Sequence, residues 1–140
     1  MENGTGKPEG ADPVREVIAQ TFILPLPTSV NRLYLNYTKN GKKPLSAQYD
    51  AWVKEAGLNL MIQRFRPTVG CYELIIDAVR PDKVKRDLGN LEKAISDLLV
   101  RHGVVADDHY CEKITMAWVR EDFVGVRVTV VGTPAPKRIA

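Results

Sequence analysis

Between Arg80 and Asp108 the chain reads R-P-D-K-V-K-R-D-L-G-N-L-E-K-A-I-S-D-L-L-V-R-H-G-V-V-A-D-D. Acids stand toward both ends of this stretch, Asp87 at one and the pair Asp107-Asp108 at the other, and Arg80, Lys83, Lys85 and Arg86 surround the first of them with positive charge. Hard carboxylate oxygens suit Mg²⁺, which keeps several waters and needs few protein ligands. Cations beside them can neutralise phosphates, so the pattern suggests a metal working next to a polyanion. A metal held there would orient water for in-line attack on a phosphodiester and stabilise the charge that develops. Lys93 falls one helical turn beyond Gly89 and Asn90, from where its amine can reach back toward the helix start. Each residue also has a plainer reading: aspartate is a common helix cap, a helix lysine is usually solvated, and a charge run is usually a polar loop.

These groups need elements to position them. Leu88, Leu91, Ile95, Leu98 and His102 share one helical face, and Gly103 stands where a left-handed glycine closes a helix, so a helix is expected from near Asp87. Before it, Tyr72, Leu74, Ile76 and Ala78 alternate on one face of a strand, with Glu73 and Asp77 on the other. After it, Ile114, Met116 and Trp118 alternate, then Val124, Val126, Val128 and Val130, and these two strands are expected to form a hairpin. The strand after Asp107-Asp108 is expected to lie beside the one ending at Val79, which would bring Asp108 near Asp87.

Upstream, Val14 to Leu24 reads as a first strand ended by Pro25 and Pro27. Asn40-Gly41, between Lys39 and Lys42-Lys43, is a turn signal with a cationic tip. A helix capped by Ser46 follows, with Tyr49, Trp52, Val53, Ala56 and Leu60 on one face and an end near Phe65, ahead of Pro67. The expected fold is one α/β (α+β) domain over residues 14–132, a mixed sheet packed against two helices. Residues 1–13 read as a disordered leader and 133–140 as a flexible tail.

A chain of 140 residues that is 44% apolar and 26% charged has the composition of a soluble domain with a proper core. It has no membrane-length apolar run and no signal-peptide core, which makes the cytoplasm the expected compartment. Cys71 and Cys111 are too few and too far apart for a zinc site, and read as buried thiols. The net charge of +3 is modest, so the clustering of the cations says more than their number.

The segment Pro81 to Asp108 resembles the RusA family of Holliday-junction resolvases. The family's pattern is a basic loop, Asp-x-Asp-Asn-x-x-Lys, an apolar-faced helix, a short turn and Asp-Asp. This chain shows Asp87-Leu88-Gly89-Asn90-Leu91-Glu92-Lys93, then Ala94 to Gly103, then Asp107-Asp108. L-P-L-P-T-S-V-N-R-L-Y (Leu24 to Tyr34) and the P-L-S-A-Q-Y stretch are similar to the family's first-strand exit and first-helix entry. The resemblance spans roughly Thr21 to Val131. It implies a Mg²⁺-dependent endodeoxyribonuclease, with Mn²⁺ as substitute, that resolves four-way DNA junctions in recombination and repair. It further implies a homodimer of bacterial or prophage origin, whose two-fold symmetry matches that of the junction. Carried over by position, it makes Asp87 and Asp108 metal-binding and catalytic and Lys93 a catalytic lysine, and the neighbouring Asp107 is a candidate further ligand. Arg80, Lys83, Lys85 and Arg86 would contact phosphates near the cut, Lys42 and Lys43 would hold a second arm, and Arg32 is a further DNA-binding candidate. The family's second aspartate falls at Gly89, which has no side chain. Three accounts are open: a neighbouring acid (Asp107, Glu92 or Asp82) substitutes for it, the chain binds branched DNA and cuts it poorly or not at all, or the glycine is an introduced or drifted change in an otherwise active protein.

Overall fold

The computed structural model describes residues 16–27, 47–83 and 86–136. Within them the order is β1 (Ile18–Leu24), α1 (Ala47–Gln63), β2 (Thr68–Ala78), α2 (Asn90–Arg101), a 3₁₀ turn (Asp108–Tyr110), β3 (Cys111–Trp118) and β4 (Val126–Pro134). The expected leader, the Asn40-Gly41 turn and the Ser46 cap lie outside the described residues. So do Arg32, Lys42, Lys43 and Lys85.

The strands form one mixed sheet in the order β1-β4-β2-β3, which bears out the expected fold class. β2 pairs parallel with β3 and antiparallel with β4. A parallel neighbour needs a crossover, and α2 supplies it. The register lines up Leu24, Val126 and Ala78 in one row and Phe22, Val128 and Ile76 in the next. All six are buried in a core shared with Trp52 and Leu60 of α1 and Ile95 and Leu98 of α2. The other face carries cross-strand polar pairs, including Thr21 Oγ1 with Thr129 Oγ1 at 3.1 Å and Arg127 with Asp77 at 3.0 Å. Such pairs are what an antiparallel face open to water favours.

The expected β3–β4 hairpin does not form, because β2 lies between the two strands. Burial explains the order. Val126, Val128 and Val130 of β4 are fully buried, as a strand with neighbours on both sides requires, whereas Ile114 of β3 remains 44% exposed. β3 is an edge. The connection 119–125 therefore has to cross the end of β2, and two backbone bonds pin it there: Val119 N donates to Ala78 O (2.8 Å) and Val79 N to Gly125 O (3.1 Å).

β1, the opposite edge, is covered at Ile23 by a side-chain amide and tied to the residues after α1 by another. Gln63 of α1 both accepts from Ile23 N and donates to Ile23 O, each at 2.9 Å, and Gln20 does the same for the backbone of Arg66 at 2.8 Å. Amide pairing of this kind satisfies edge groups that would otherwise template another strand. α1 ends at Gln63, two residues before the expected Phe65, with Arg64 in the left-handed region at φ 63°. The strand expected from Val14 begins at Ile18. At the other terminus β4 continues past Gly132 to Pro134, pairing Thr133 with Val69 and Pro134 with Thr68. The tail expected from residue 133 is thus partly strand.

Two thiols depart from expectation. Cys71 is exposed and Cys111 half-buried, since Cys71 points to the open face of β2 and Cys111 begins an edge strand. Glu112 beside Cys71 raises the Cys71 pKa, and burial raises that of Cys111.

Candidate active site and nucleic-acid interface

α2 starts at Asn90, later than the sequence suggests, with Gly89 as its cap residue. Gly89 has helical angles (φ −62°, ψ −22°) and offers no side-chain cap. Asp87 folds over the turn ahead of the helix: its Oδ1 accepts from Gly89 N at 3.0 Å and its carbonyl from Asn90 N at 3.1 Å. A short acidic side chain there answers donors that a helix start leaves unpaired, and its charge suits the dipole. Asp87 stays exposed. A Cβ built on Gly89 would meet only Asp87 Oδ1, at 3.5 Å, an ordinary contact.

Lys93 lies exposed on the first turns of α2, with its Nζ 3.6 Å from Asp97 Oδ2. Its amine therefore sits along the helix toward Asp97, one turn on. Glu92 accepts a hydrogen bond from the buried Ser96 hydroxyl. Gly103, at φ 76°, closes the helix as expected, and Val104 is held by Thr68 N donating to its carbonyl at 2.8 Å.

From this anchor the chain reaches the acidic pair, whose members differ. Asp107 caps the 3₁₀ turn, accepting from His109 N at 3.1 Å and facing His109 Nδ1 at 3.0 Å. The hydrogen bond from the His109 amide, followed by that from its ring, holds the Asp107 carboxyl down to about 2. Asp108 is raised above its ordinary value, first by its hydrogen bond with Asp107, then by desolvation and the charges of Asp107, Asp97 and Glu92. The turn packs against α2, so the acids that crowd Asp108 from the helix are Asp97 and Glu92. Among the described residues no three His, Cys, Asp or Glu side chains gather into a metal-holding group, and Asp87, Asp107 and Asp108 do not form one.

The basic residues are also placed unequally. Lys83 is exposed, while Arg86 is tied to Asp82 at 2.9 Å. Arg80 lies over the ring of Trp118, 4.5 Å from its centroid. Trp118 and Arg120, at the exit of β3, were not singled out as site residues on sequence. The available signal is an aromatic at the end of a strand pattern followed two residues later by an arginine.

A family model for endodeoxyribonuclease RusA matches residues 25–131. The chain belongs to the RusA family. The match takes in the exit of β1, both helices, β2, β3 and most of β4, so the whole unit that carries Asp87, Lys93 and Asp108 is a RusA unit. RusA proteins are endodeoxyribonucleases associated with Holliday-junction resolution. No curated protein matches the chain. None of the described helices is long and apolar enough to cross a membrane.

Proposed function

We propose that this RusA-family chain is a divalent-metal-dependent endodeoxyribonuclease that resolves four-way DNA junctions by phosphodiester hydrolysis, working as a homodimer. The observation that carries the reading is that a RusA unit presents Asp87, Lys93 and Asp108, all exposed, on α2 and the turns flanking it. The donors fit a hard cation. They are carboxylate oxygens, and the charges of Asp107, Asp97 and Glu92, which add to the Asp107 hydrogen bond and desolvation in raising the Asp108 pKa, are a repulsion that a cation relieves. Asp87 and Asp108 would hold Mg²⁺, with Mn²⁺ as substitute, and water and substrate phosphate would complete its shell. When bound, the cation supplies charge neutralisation and a more acidic water.

The chain's own residues do the rest. Asp107, whose Oδ1 already holds the His109 amide, fixes the turn that carries Asp108. Lys93, whose Nζ lies 3.6 Å from Asp97, would offset charge developing on the phosphate. Arg80, Lys83, Lys85 and Arg86 bind the phosphates flanking the cut, and Arg32, Lys42 and Lys43 hold a second arm. Contacts of this kind position DNA without reading its sequence. Two such sites related by a two-fold axis match the symmetry of a junction.

Gly89 favours a second reading, a branched-DNA-binding protein of the same fold that does not cut, since one carboxylate of the family pattern is missing. Titrating Mg²⁺ or Mn²⁺ against a labelled four-way junction and a matched linear duplex separates the two. The nuclease yields nicked duplexes from the junction, and its Asp87→Asn variant binds junctions without cutting them. A stable complex indifferent to metal supports the binder, and undiminished cutting by Asp87→Asn removes Asp87 from the site.

A further inference from the structure

Past Ala78 and Val119 the parallel pair β2/β3 comes apart. Val119 N bonds back to Ala78 O and Val79 N turns to Gly125 O, so one chain leaves for α2 and the other for β4. The gap between them is a cleft of about 420 Å³ lined by Val79, Arg80, Trp118, Val119 and Arg120. Crevices where neighbouring strands send their connections apart are the usual ligand sites of sheets containing parallel strands, and the volume lies within the range of about 300–1,000 Å³ typical of small-molecule sites.

Its lining is specific in chemistry. Trp118 supplies a half-exposed indole with the Arg80 guanidinium over it, and Arg120 stands exposed at the rim. Two of the acids at these strand ends are already engaged, Glu121 with Arg127 at 2.7 Å and Asp77 with Arg127 at 3.0 Å, and a third, Asp122, stands exposed two residues beyond Arg120. With the described residues neither Arg80 nor Arg120 forms an ion pair. An indole already stacked with one guanidinium, beside a second that is exposed, fits a planar base attached to a phosphate.

We propose that this cleft binds an unpaired nucleotide of the DNA substrate, with its base stacked on the Trp118–Arg80 pair and its phosphate on Arg120. A branched substrate offers such a nucleotide where its arms separate, and a continuous duplex does not. The inference rests on DNA being the substrate, and it adds a strand-separating contact to the cutting site.

The test measures binding of the full chain to a labelled unstructured oligothymidylate and to a matched blunt duplex by fluorescence anisotropy. Trp118→Ala should weaken oligothymidylate binding about tenfold, within the ~1–3 kcal/mol attributed to a stacked base, and leave duplex binding unchanged. Trp118→Phe should keep most of the affinity. Arg120→Ala should reduce the slope of log K against log salt by about 0.7, one single-strand phosphate contact. Equal binding by wild type and Trp118→Ala, an equal loss on duplex, or competition by thymidine monophosphate as strong as that by the oligonucleotide would overturn the proposal. Should Trp118→Ala fail to fold, photocrosslinking of wild type to a 5-iodouracil oligonucleotide decides: adducts on Trp118 support the site, and adducts only elsewhere overturn it. Junction cutting that is indifferent to Trp118 leaves the nuclease standing and this site fallen. Oligothymidylate held by Trp118 with no cutting does the reverse.

Discussion

At Gly89 the backbone does not ask for glycine. Its angles are helical, and a Cβ there meets only the Asp87 carboxylate at van der Waals distance. An aspartate would be accommodated, with its carboxylate beside that of Asp87. It would also sit at a helix start, where negative charge is favourable by roughly 0.3–1 kcal/mol. Gly89→Asp should therefore leave the melting temperature unchanged or slightly higher. In the presence of Mg²⁺ it should raise the rate of junction cleavage and lower the metal concentration needed for half-maximal rate. Initial rates across a Mg²⁺ titration read both. An unchanged titration curve would mean that another group already fills the place, and Glu92 is the first to examine, because its charge already acts on Asp108.

Among the elements, the crossing of the β3–β4 connection over the end of β2 is what most shapes the sheet. It closes at Gly125, which has φ 106° and buries itself against the exit of β1: an added Cβ would lie 2.2 Å from Leu24 O. Neither the angle nor the contact can relax cheaply, since the obstacle is backbone. Gly125→Ala should cost about 3 kcal/mol or more, combining a left-handed-side conformation with overpacking. A denaturation midpoint within error of wild type would show that the β1 exit can move aside. The same stretch explains why a two-strand hairpin is a poor guess here. Alternation in Val126, Val128 and Val130 says that one face is buried, yet it carries no information about which strand lies alongside.

Across the whole molecule the charges divide into those spent on the fold and those left for a partner. Arg127 joins Asp77 and Glu121, Lys113 faces Glu73, and Arg66 faces Glu16. Lys83 remains exposed at the loop that leads into α2, and Arg86 is partly neutralised by Asp82. Junction affinity should thus fall linearly on a log–log plot against salt. Lys83→Ala should shallow that slope by about 0.9, the value for one duplex phosphate contact, and do so equally on junctions of different sequence. Arg86→Ala should shallow it less, because Asp82 already offsets part of its charge. A Lys83→Ala loss confined to one sequence would instead point to base recognition.

Much of this protein was legible along the chain because the signals involved are local. The periods of Tyr72 to Ala78 and of Leu91 to Leu98 name a strand and a helix with their buried faces, Gly103 marks the end of that helix, and Asp87, Lys93 and Asp107-Asp108 stand at spacings that suggest metal-assisted phosphate chemistry. What the tertiary structure decided is whatever depends on residues far apart in sequence. It placed β2 between β3 and β4, left Cys71 in solvent, turned Asp107 into a cap while crowding Asp108 with Asp97 and Glu92, and laid Arg80 over Trp118. A local pattern can say which way a side chain faces. Its neighbours are set by packing and pairing across the sheet.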